Sequence, residues 1–249
     1  MSNQINYYAD LAYDILKQQT SYSENKVIIY SYFQNKNQNI TINIIKTRLI
    51  LIDSFYSTSM NKRLYGIDDL AKKLFDISES SDIALNKKLS NFISSKKSNN
   101  DDISKIFQNT FGINKKGVQT SKAISLLSKY FYFISNFNFP IFDNLVKKSL
   151  PEINKNFNII DKIKIKDLLY FNSVTKFNEM SNIKDFDKLD NLCWLYGKVN
   201  KGSFSAILSK TQYIELVNLV ELYEKINIDI DIEIKKTLIH LLENNSSKL

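Results

Sequence analysis

The chain has few of the residues from which metal sites, disulfide frameworks and tight turns are built. Its 249 residues include one cysteine, Cys193, and one histidine, His240. A single cysteine excludes an intrachain disulfide, and a single histidine leaves too few ligands for an ordinary zinc site. We therefore expect neither a metal ion nor another cofactor.

Glycine and proline are scarce as well, with five and two residues. All-β proteins need many turns, in which both residues are common, so their scarcity favours long helices. The apolar fraction of 43% is sufficient for a hydrophobic core. The composition therefore predicts an all-α protein that folds by itself.

No apolar run reaches the roughly 18 residues of a membrane helix, and no secretory signal pattern is present. We therefore expect a cytoplasmic monomer without a membrane partner. Lys and Arg total 34 against 26 Asp and Glu, which gives a net charge of +8. This charge suits a polyanionic partner such as nucleic acid, but it also fits an ordinary basic surface, because a count carries no geometry.

Apolar residues at helical spacing predict helices along most of the chain. The run 24–34 is compatible with a helix or a strand, and we favour a helix. The run 42–58 is long for a strand and contains neither Gly nor Pro, so we interpret it as a central buried helix. Other helices are expected at 4–19, 66–75, 80–93, 103–111, 121–134, 165–180, 184–196, 211–224 and 231–243, with a polar linker beyond Pro151.

Polar residues within and between these helices predict further contacts and a boundary. A buried carboxylate at Asp53 needs a partner, either Arg48 or a hydroxyl group among residues 54–58. The stretch 94–102 is the most polar segment, so we expect it to separate two lobes, residues 1–100 and 101–249, of a single unit. Asp102 is expected to cap the helix that follows.

We expect the chain to be organised around residues 117–150, which contain a long apolar helix and the start of the next. The stripe of the first helix consists of Ile124, Leu127, Phe131 and Ile134. Lys129 lies near the edge of this stripe, so its ammonium group is close to apolar surface. Pro140 stops helix propagation, and Asp143 is well suited to cap the next helix. As a cap alone, Asp143 would tolerate replacement by Asn with a stability change within about 1 kcal/mol.

The same stretch carries a pattern that is found in a known family. The pattern consists of Ser128-Lys129, the aromatic run 130–133, the turn 139–143 (Phe-Pro-Ile-Phe-Asp) and Val146. It resembles the signature of bacterial proteins with the helix-hairpin-helix DNA glycosylase fold, close to the 8-oxoguanine glycosylase-like members. Residues 52–58 and 189–198 are similar to segments of bacterial relatives, so the resemblance spans about residues 45–200. One departure is that four residues separate Gly112 from Gly117, where the family has glycine-hydrophobic-glycine.

The resemblance implies an all-α, two-lobed helical bundle with a helix-hairpin-helix unit and a cleft between residues 40–100 and 103–200. It implies a DNA glycosylase with lyase activity that excises a damaged or modified base, similar to oxidised guanine, from double-stranded DNA. The family context also suggests phage defence. Lys129 would be the nucleophile that forms a Schiff base with the sugar, and Asp143 would stabilise the positively charged transition state. Lys122 is the alternative nucleophile.

The resemblance also implies residues that hold the DNA and its extruded base. Hairpin residues expected to contact phosphates are Gly112, Lys115, Lys116, Gly117 and Lys122. Aromatic residues expected to stack on the base are Phe55, Tyr56, Trp194 and Tyr196. The hairpin is alternatively an exposed basic loop, and Trp194 is alternatively a core residue.

Two other functions fit the same sequence. A non-catalytic DNA-binding protein with the same fold would bind duplexes in a salt-dependent way without releasing a base. A helical interaction protein, in which the aromatic stripe is only core, would have no affinity for DNA.

Overall fold

The computed structural model describes residues 2–17, 21–34, 39–94, 101–119, 121–166 and 168–200. Within these ranges the chain forms ten α-helices and one short 3-10 helix, Met60–Lys62, and no β-strand. The α-helices are α1 (Ser2–Lys17), α2 (Ser21–Gln34), α3 (Ile42–Tyr56), α4 (Gly66–Ser78), α5 (Asp82–Ser94), α6 (Asp102–Gln108), α7 (Ile124–Ile134), α8 (Asn144–Phe157), α9 (Leu168–Met180) and α10 (Phe186–Asn200). The prediction of an all-α protein is confirmed. His240 and the helices expected at 211–224 and 231–243 lie outside the described residues.

The central helix of the fold is α7. It begins at Ile124, later than predicted, and all of its residues except Ser125 are buried. A helix that is buried on every side lies in the middle of a core, and α7 packs against α2, α3 and α5. The single apolar stripe predicted for this helix therefore understates its burial.

The helix α3 confirms the helical interpretation of residues 42–58 but not their central position. Its buried residues line one side, and on the other Ile50 and Phe55 are 43% and 40% exposed. An apolar side chain on an open face does not make a helix central, because much protein surface is apolar. The central position belongs to α7.

One hydrophobic cluster connects the helices. It extends from Ile5 on α1 to Leu195 on α10. The lobe boundary expected at 94–102 falls mostly on residues 95–100, which the structure does not describe. None of the described helices is long and apolar enough to cross a membrane.

Two local predictions near helix ends are wrong. The cap of α6 is Asp101 and not Asp102, because the Asp101 carboxylate accepts the N–H of Ser104 at 2.7 Å. The polar linker expected beyond Pro151 starts later than predicted, after Phe157, since α8 continues through this proline. Burial of Phe157 in the core favours the helix despite the hydrogen bond that proline cannot donate.

The ambiguous run 24–34 is helical, as predicted. A buried ion pair joins α3 to α5, and its arginine also bonds to the backbone of α2. Arg48 donates to Asp82 through its two terminal guanidinium nitrogens, Nη1 and Nη2, at 2.8 and 3.0 Å. Its third guanidinium nitrogen, Nε, donates to the carbonyl of Tyr32 at 2.9 Å. Arg48 was one of the two partners proposed for Asp53, and the structure excludes it because Arg48 is bonded to Asp82. Asp53 instead accepts from the hydroxyl of Thr58, which was the other alternative.

Asp53 also organises the segment that follows α3. Its carboxylate accepts the N–H groups of Met60 and Asn61, both at 2.9 Å. These bonds satisfy amides at the start of the 3-10 helix, which has no side-chain cap of its own. The segment 57–61 is therefore held against the end of α3.

We expect Asp82→Asn to lower the free energy of unfolding by about 3 kcal/mol, because it leaves the Arg48 guanidinium buried without a counter-charge. The Arg48 and Asp82 side chains are 1% and 0% exposed. Glu79→Gln is the control, since the Glu79 side chain that pairs with Lys88 is 66% exposed. This control should cost less than about 1 kcal/mol in urea unfolding. Equal losses in the two variants would contradict the expectation.

Candidate active site

Lys129 of α7 and Asp143, the N-cap of α8, form an ion pair. The distance from Lys129 Nζ to Asp143 Oδ2 is 3.2 Å. The lysine side chain is 2% exposed and the aspartate side chain 24% exposed, so the pair lies at the inner end of an opening to solvent. The structure thus brings together the two residues that the sequence analysis singled out as catalytic candidates.

The turn between α7 and α8 is held by the residue that precedes the lysine. The Ser128 hydroxyl accepts the N–H of Phe142 at 2.9 Å. On the other side of the turn, the Tyr170 hydroxyl donates to the carbonyl of Ile141 at 2.5 Å. These two bonds fix the backbone directly before Asp143 and so place its carboxylate beside Lys129. The sequence analysis did not foresee this role of Ser128.

Asp143 uses its two carboxylate oxygens for different tasks. Oδ1 accepts the N–H groups of Leu145 and Val146, both at 2.9 Å, which is the capping role predicted for it. Oδ2 faces Lys129. Burial by itself would raise the pKa of Asp143, but the Lys129 ammonium and the two amides outweigh burial and hold the pKa below its usual value. The carboxylate therefore stays ionised at neutral pH.

The ammonium group of Lys129 has two further neighbours. It donates to Ser125 Oγ at 3.0 Å and lies 5.4 Å from the centre of the Tyr56 ring. A cation over an aromatic face is stabilised by the ring quadrupole. Three side chains from different elements thus hold the amine in one position.

A cavity of about 520 Å³ opens over this pair. Phe55 and Tyr56 from α3 line it, together with Trp194 from α10. Three of the four aromatic residues predicted to form a base pocket therefore lie around Lys129 and Asp143. The fourth, Tyr196, does not line the cavity and packs against the core.

The cavity is also lined by Tyr22 and Asp190, and the sequence analysis missed both. Tyr22 of α2 packs its ring 4.5 Å from that of Trp194, measured between centroids. Its hydroxyl donates to Asp190 Oδ2 of α10 at 2.7 Å. The sequence feature that could have indicated a buried site residue here was the carboxylate of Asp190 between the apolar residues Leu189 and Leu192.

A second cavity of about 430 Å³ adjoins the first and shares Thr58, Ser59 and Ser125 with it. Its cationic residues are Lys62, Arg63, Lys115 and Lys122. Lys122 is exposed and lies in this basic cavity, whereas Lys129 lies in the cavity that contains Asp143. The two candidate lysines therefore occupy different surroundings. Lys62 and Arg63 were not predicted.

The connection between α6 and α7 is a hairpin, in which Phe111 N–H donates to Ser121 O at 3.0 Å. Its two glycines have different surroundings. Gly112 is buried at a φ of +65°, and a Cβ there would lie 2.7 Å from Gly66 Cα. Its N–H donates to Asp69 Oδ2 at 3.0 Å, so this amide is already engaged. Gly117, at a φ of +73°, is exposed at the tip.

The remaining hairpin residues lie at the surface. Lys115 and Lys116 are both exposed, and Lys115 lines the basic cavity. Asn114 orders the tip, because its side-chain oxygen accepts the N–H groups of Lys116 at 2.8 Å and Val118 at 3.1 Å. The tip of the hairpin thus presents Lys115 at the basic cavity, and the assignment as a helix-hairpin-helix unit stays a prediction.

No group of three or more His, Cys, Asp or Glu side chains within the described ranges is placed to hold a metal ion. Comparison of the chain with protein-family models, with curated proteins and with solved structures found no significant match. Any functional conclusion therefore depends on the geometry of the cavities and on the residue pattern around Lys129.

Proposed function

We propose that the protein is a DNA glycosylase with lyase activity, acting on a damaged or modified base extruded from double-stranded DNA. The observation that supports this most strongly is the Lys129–Asp143 ion pair, 3.2 Å long, inside an aromatic-lined cavity. The cavity volume of about 520 Å³ is within the range of about 300 to 1,000 Å³ typical of small-molecule sites. The resemblance of residues 128–146 to the glycosylase signature supports the same chemistry.

The proposed reaction uses Lys129 as a nucleophile. The ammonium group first loses a proton to solvent at the cavity opening. The neutral amine then attacks the sugar carbon that carries the base, and a Schiff base forms after the base leaves. Strand cleavage by elimination then becomes easier. The carboxylate of Asp143 remains ionised and stabilises the positive charge that develops on the sugar. Asp143 is held for this purpose by the two amides of α8.

The surroundings of the pair suit an extruded nucleotide. A base inside a duplex must leave the stack to reach a buried amine, and aromatic side chains stabilise it by stacking. Tyr56 and Trp194 offer such surfaces in the cavity. The adjoining basic cavity, with Lys115 and Lys122, is placed to contact the phosphates on either side of that nucleotide.

A non-catalytic DNA-binding protein is the second candidate. The observation that favours it is the Gly112 amide, which is bonded to Asp69 and is not free for the phosphate contact expected of a catalytic hairpin. Such a protein would bind duplex DNA through the same basic cavity, and neither base release nor a covalent adduct would occur.

Borohydride trapping distinguishes the two. The wild-type protein is incubated with a duplex containing an abasic site, or an 8-oxoguanine, in the presence of sodium borohydride. A Schiff base is reduced to a stable covalent adduct, which migrates slowly in a denaturing gel. Tight, salt-sensitive binding with no adduct on the abasic duplex, in parallel with a positive control enzyme, would exclude the lyase and leave the binding protein.

The basic cavity makes a prediction that holds for both candidates. Replacing Lys115 and Lys122 together by Ala should reduce the slope of log Kd against log salt concentration by about two, because two phosphate contacts are lost. Lys155→Ala is the control, since Lys155 is exposed on α8 and lines neither cavity. Duplex binding measured by fluorescence anisotropy at several salt concentrations gives the slope. An unchanged slope would place the DNA elsewhere.

A further inference from the structure

The cavity over Lys129 contains a second carboxyl group, that of Asp190. This residue is only 8% exposed and lines the cavity from α10. Its Oδ2 accepts the Tyr22 hydroxyl at 2.7 Å. Within the described part of the chain Tyr22 is its one hydrogen-bond partner, so Oδ1 has none. A buried carboxyl group with one unused oxygen beside a cavity is suited to bind a polar group of a ligand.

The cations near Asp190 have partners other than Asp190. Lys129 pairs with Asp143, and Lys26 pairs with Asp187. Lys147, which also lines the cavity, lies over the Phe142 ring at 4.9 Å. No ion pair joins Asp190 to a cation in the ranges that the structure describes. Asp190 therefore faces the carboxylates of Asp143 and Asp187, and the Lys26 ammonium, which is paired with Asp187, offsets them only in part.

The other titratable groups that face Asp190 are neutral. They are Tyr22 of α2, Tyr56 of α3, Tyr132 of α7, Tyr170 of α9 and Cys193 of α10. Burial raises the pKa of each of these groups, so none carries a charge near neutral pH. Burial, and next the Asp143 carboxylate, raise the pKa of Asp190 itself to about 7. Below that pH Asp190 is a neutral acid with a proton to donate.

We propose that Asp190 is the acid that protonates the base as it leaves. This inference rests on the proposed glycosylase function and assigns a step to a residue outside the Lys129–Asp143 pair. As the neutral amine of Lys129 forms its bond to the sugar carbon, the bond from that carbon to the base nitrogen breaks. The electron pair goes to the base, and the Asp190 O–H proton is transferred to it. The products are the neutral free base, a sugar–lysine adduct with one positive charge and the Asp190 carboxylate with one negative charge, so charge is conserved.

The chemistry of the step needs such a group. A departing base accumulates negative charge, and a positioned acid with a pKa near the working pH contributes about 100-fold to 10,000-fold to such a step. Asp143 cannot supply the proton, because it is ionised. Tyr22 positions Asp190 by holding Oδ2, which leaves Oδ1 towards the ligand.

The decisive experiment compares two duplexes with one variant, Asp190→Asn, which keeps the size of the side chain and removes its proton. Base release from oxidised duplex DNA, measured by mass spectrometry of the free bases, should fall at least about 100-fold. Borohydride trapping at a preformed abasic site should stay within about threefold of wild type, because no base remains to be protonated. Equal losses on both duplexes would overturn the role of Asp190 as an acid. A wild-type protein that traps the abasic site and releases no base would overturn it too, while leaving the lyase intact.

A second variant gives a readout that does not depend on the stability of the first. The Tyr22 hydrogen bond lowers the pKa of Asp190, so Tyr22→Phe should raise that pKa. Wild-type base release should decline as the pH rises through about 7, and in Tyr22→Phe this decline should move to higher pH. A decline that stays in place would contradict the assignment. Failure of the proposed function itself appears differently, as the absence of any adduct from the wild-type protein.

Discussion

Lys129→Met should abolish the borohydride-trapped adduct, whereas Lys122→Ala should leave its yield nearly unchanged. Of the two candidate lysines, Lys129 lies in the cavity with Asp143 and Lys122 lies in the basic cavity. Methionine retains most of the lysine volume but leaves the Asp143 carboxylate without its cation. That carboxylate is 24% exposed and keeps two amide donors, so the loss of stability should not exceed about 2 kcal/mol. Without the amine no Schiff base can form, and the adduct should fall below about 1% of wild type.

The measurement is a denaturing gel of trapped complexes, with thermal unfolding of each variant as the test of folding. Lys122→Ala is the matched control, because it removes an ammonium group beside the same DNA without touching the ion pair. Adduct formation that survives Lys129→Met and is lost in Lys122→Ala would identify Lys122 as the nucleophile. That result would also separate the nucleophile from Asp143 and would require another role for the buried pair.

Asp143→Asn should reduce base release by roughly 100-fold or more, because the amide keeps the shape of the carboxylate and removes the charge that stabilises the transition state. From the sequence alone this variant is expected to be as stable as wild type, since Asn is a good cap. The ion pair changes that expectation. The Lys129 side chain is 2% exposed, and losing its counter-charge should cost about 2 kcal/mol of unfolding free energy.

The double variant Lys129→Met/Asp143→Asn distinguishes the two effects. It contains neither charge, so its stability should recover towards that of Lys129→Met, while base release should remain lost. Urea unfolding of the wild type, both single variants and the double variant gives the coupling free energy of the pair. Near-normal turnover by Asp143→Asn would show that Asp143 is only a cap and would remove the main support for the glycosylase proposal.

The sequence was informative where the determining signals are local. Pro140 disfavours a helix in the residues before Asp143, and Asp143 specifies where α8 begins, so the capping position of the carboxylate was predicted correctly. Lys129 is close because α7 leads directly into that turn. Local rules failed where packing opposed them, as at Pro151, which stays helical because the residues after it are buried.

Contacts between distant segments could not be predicted in the same way. Tyr22 and Asp190 are 168 residues apart, and their hydrogen bond depends on how α2 packs beside α10. The choice of Arg48 between Asp53 and Asp82 likewise depended on the position of α5. A single sequence carries no information about such packing. Lys129 and Asp143 were therefore predicted as site residues, whereas Tyr22 and Asp190, which line the same cavity, were not.

Hydrogen bonds and packing around Gly112 connect the hairpin to the chain segment that lines both cavities. The hairpin donates from Ile113 N to Leu64 O at 3.0 Å, and Gly112 is packed against Gly66 at the start of α4. The intervening segment is anchored to α3 through Asp53, and its residues Thr58 and Ser59 belong to both cavities. These bonds therefore set the distance between the hairpin and the cavity over Lys129, which under the proposed function is the distance from a bound phosphate to the extruded base.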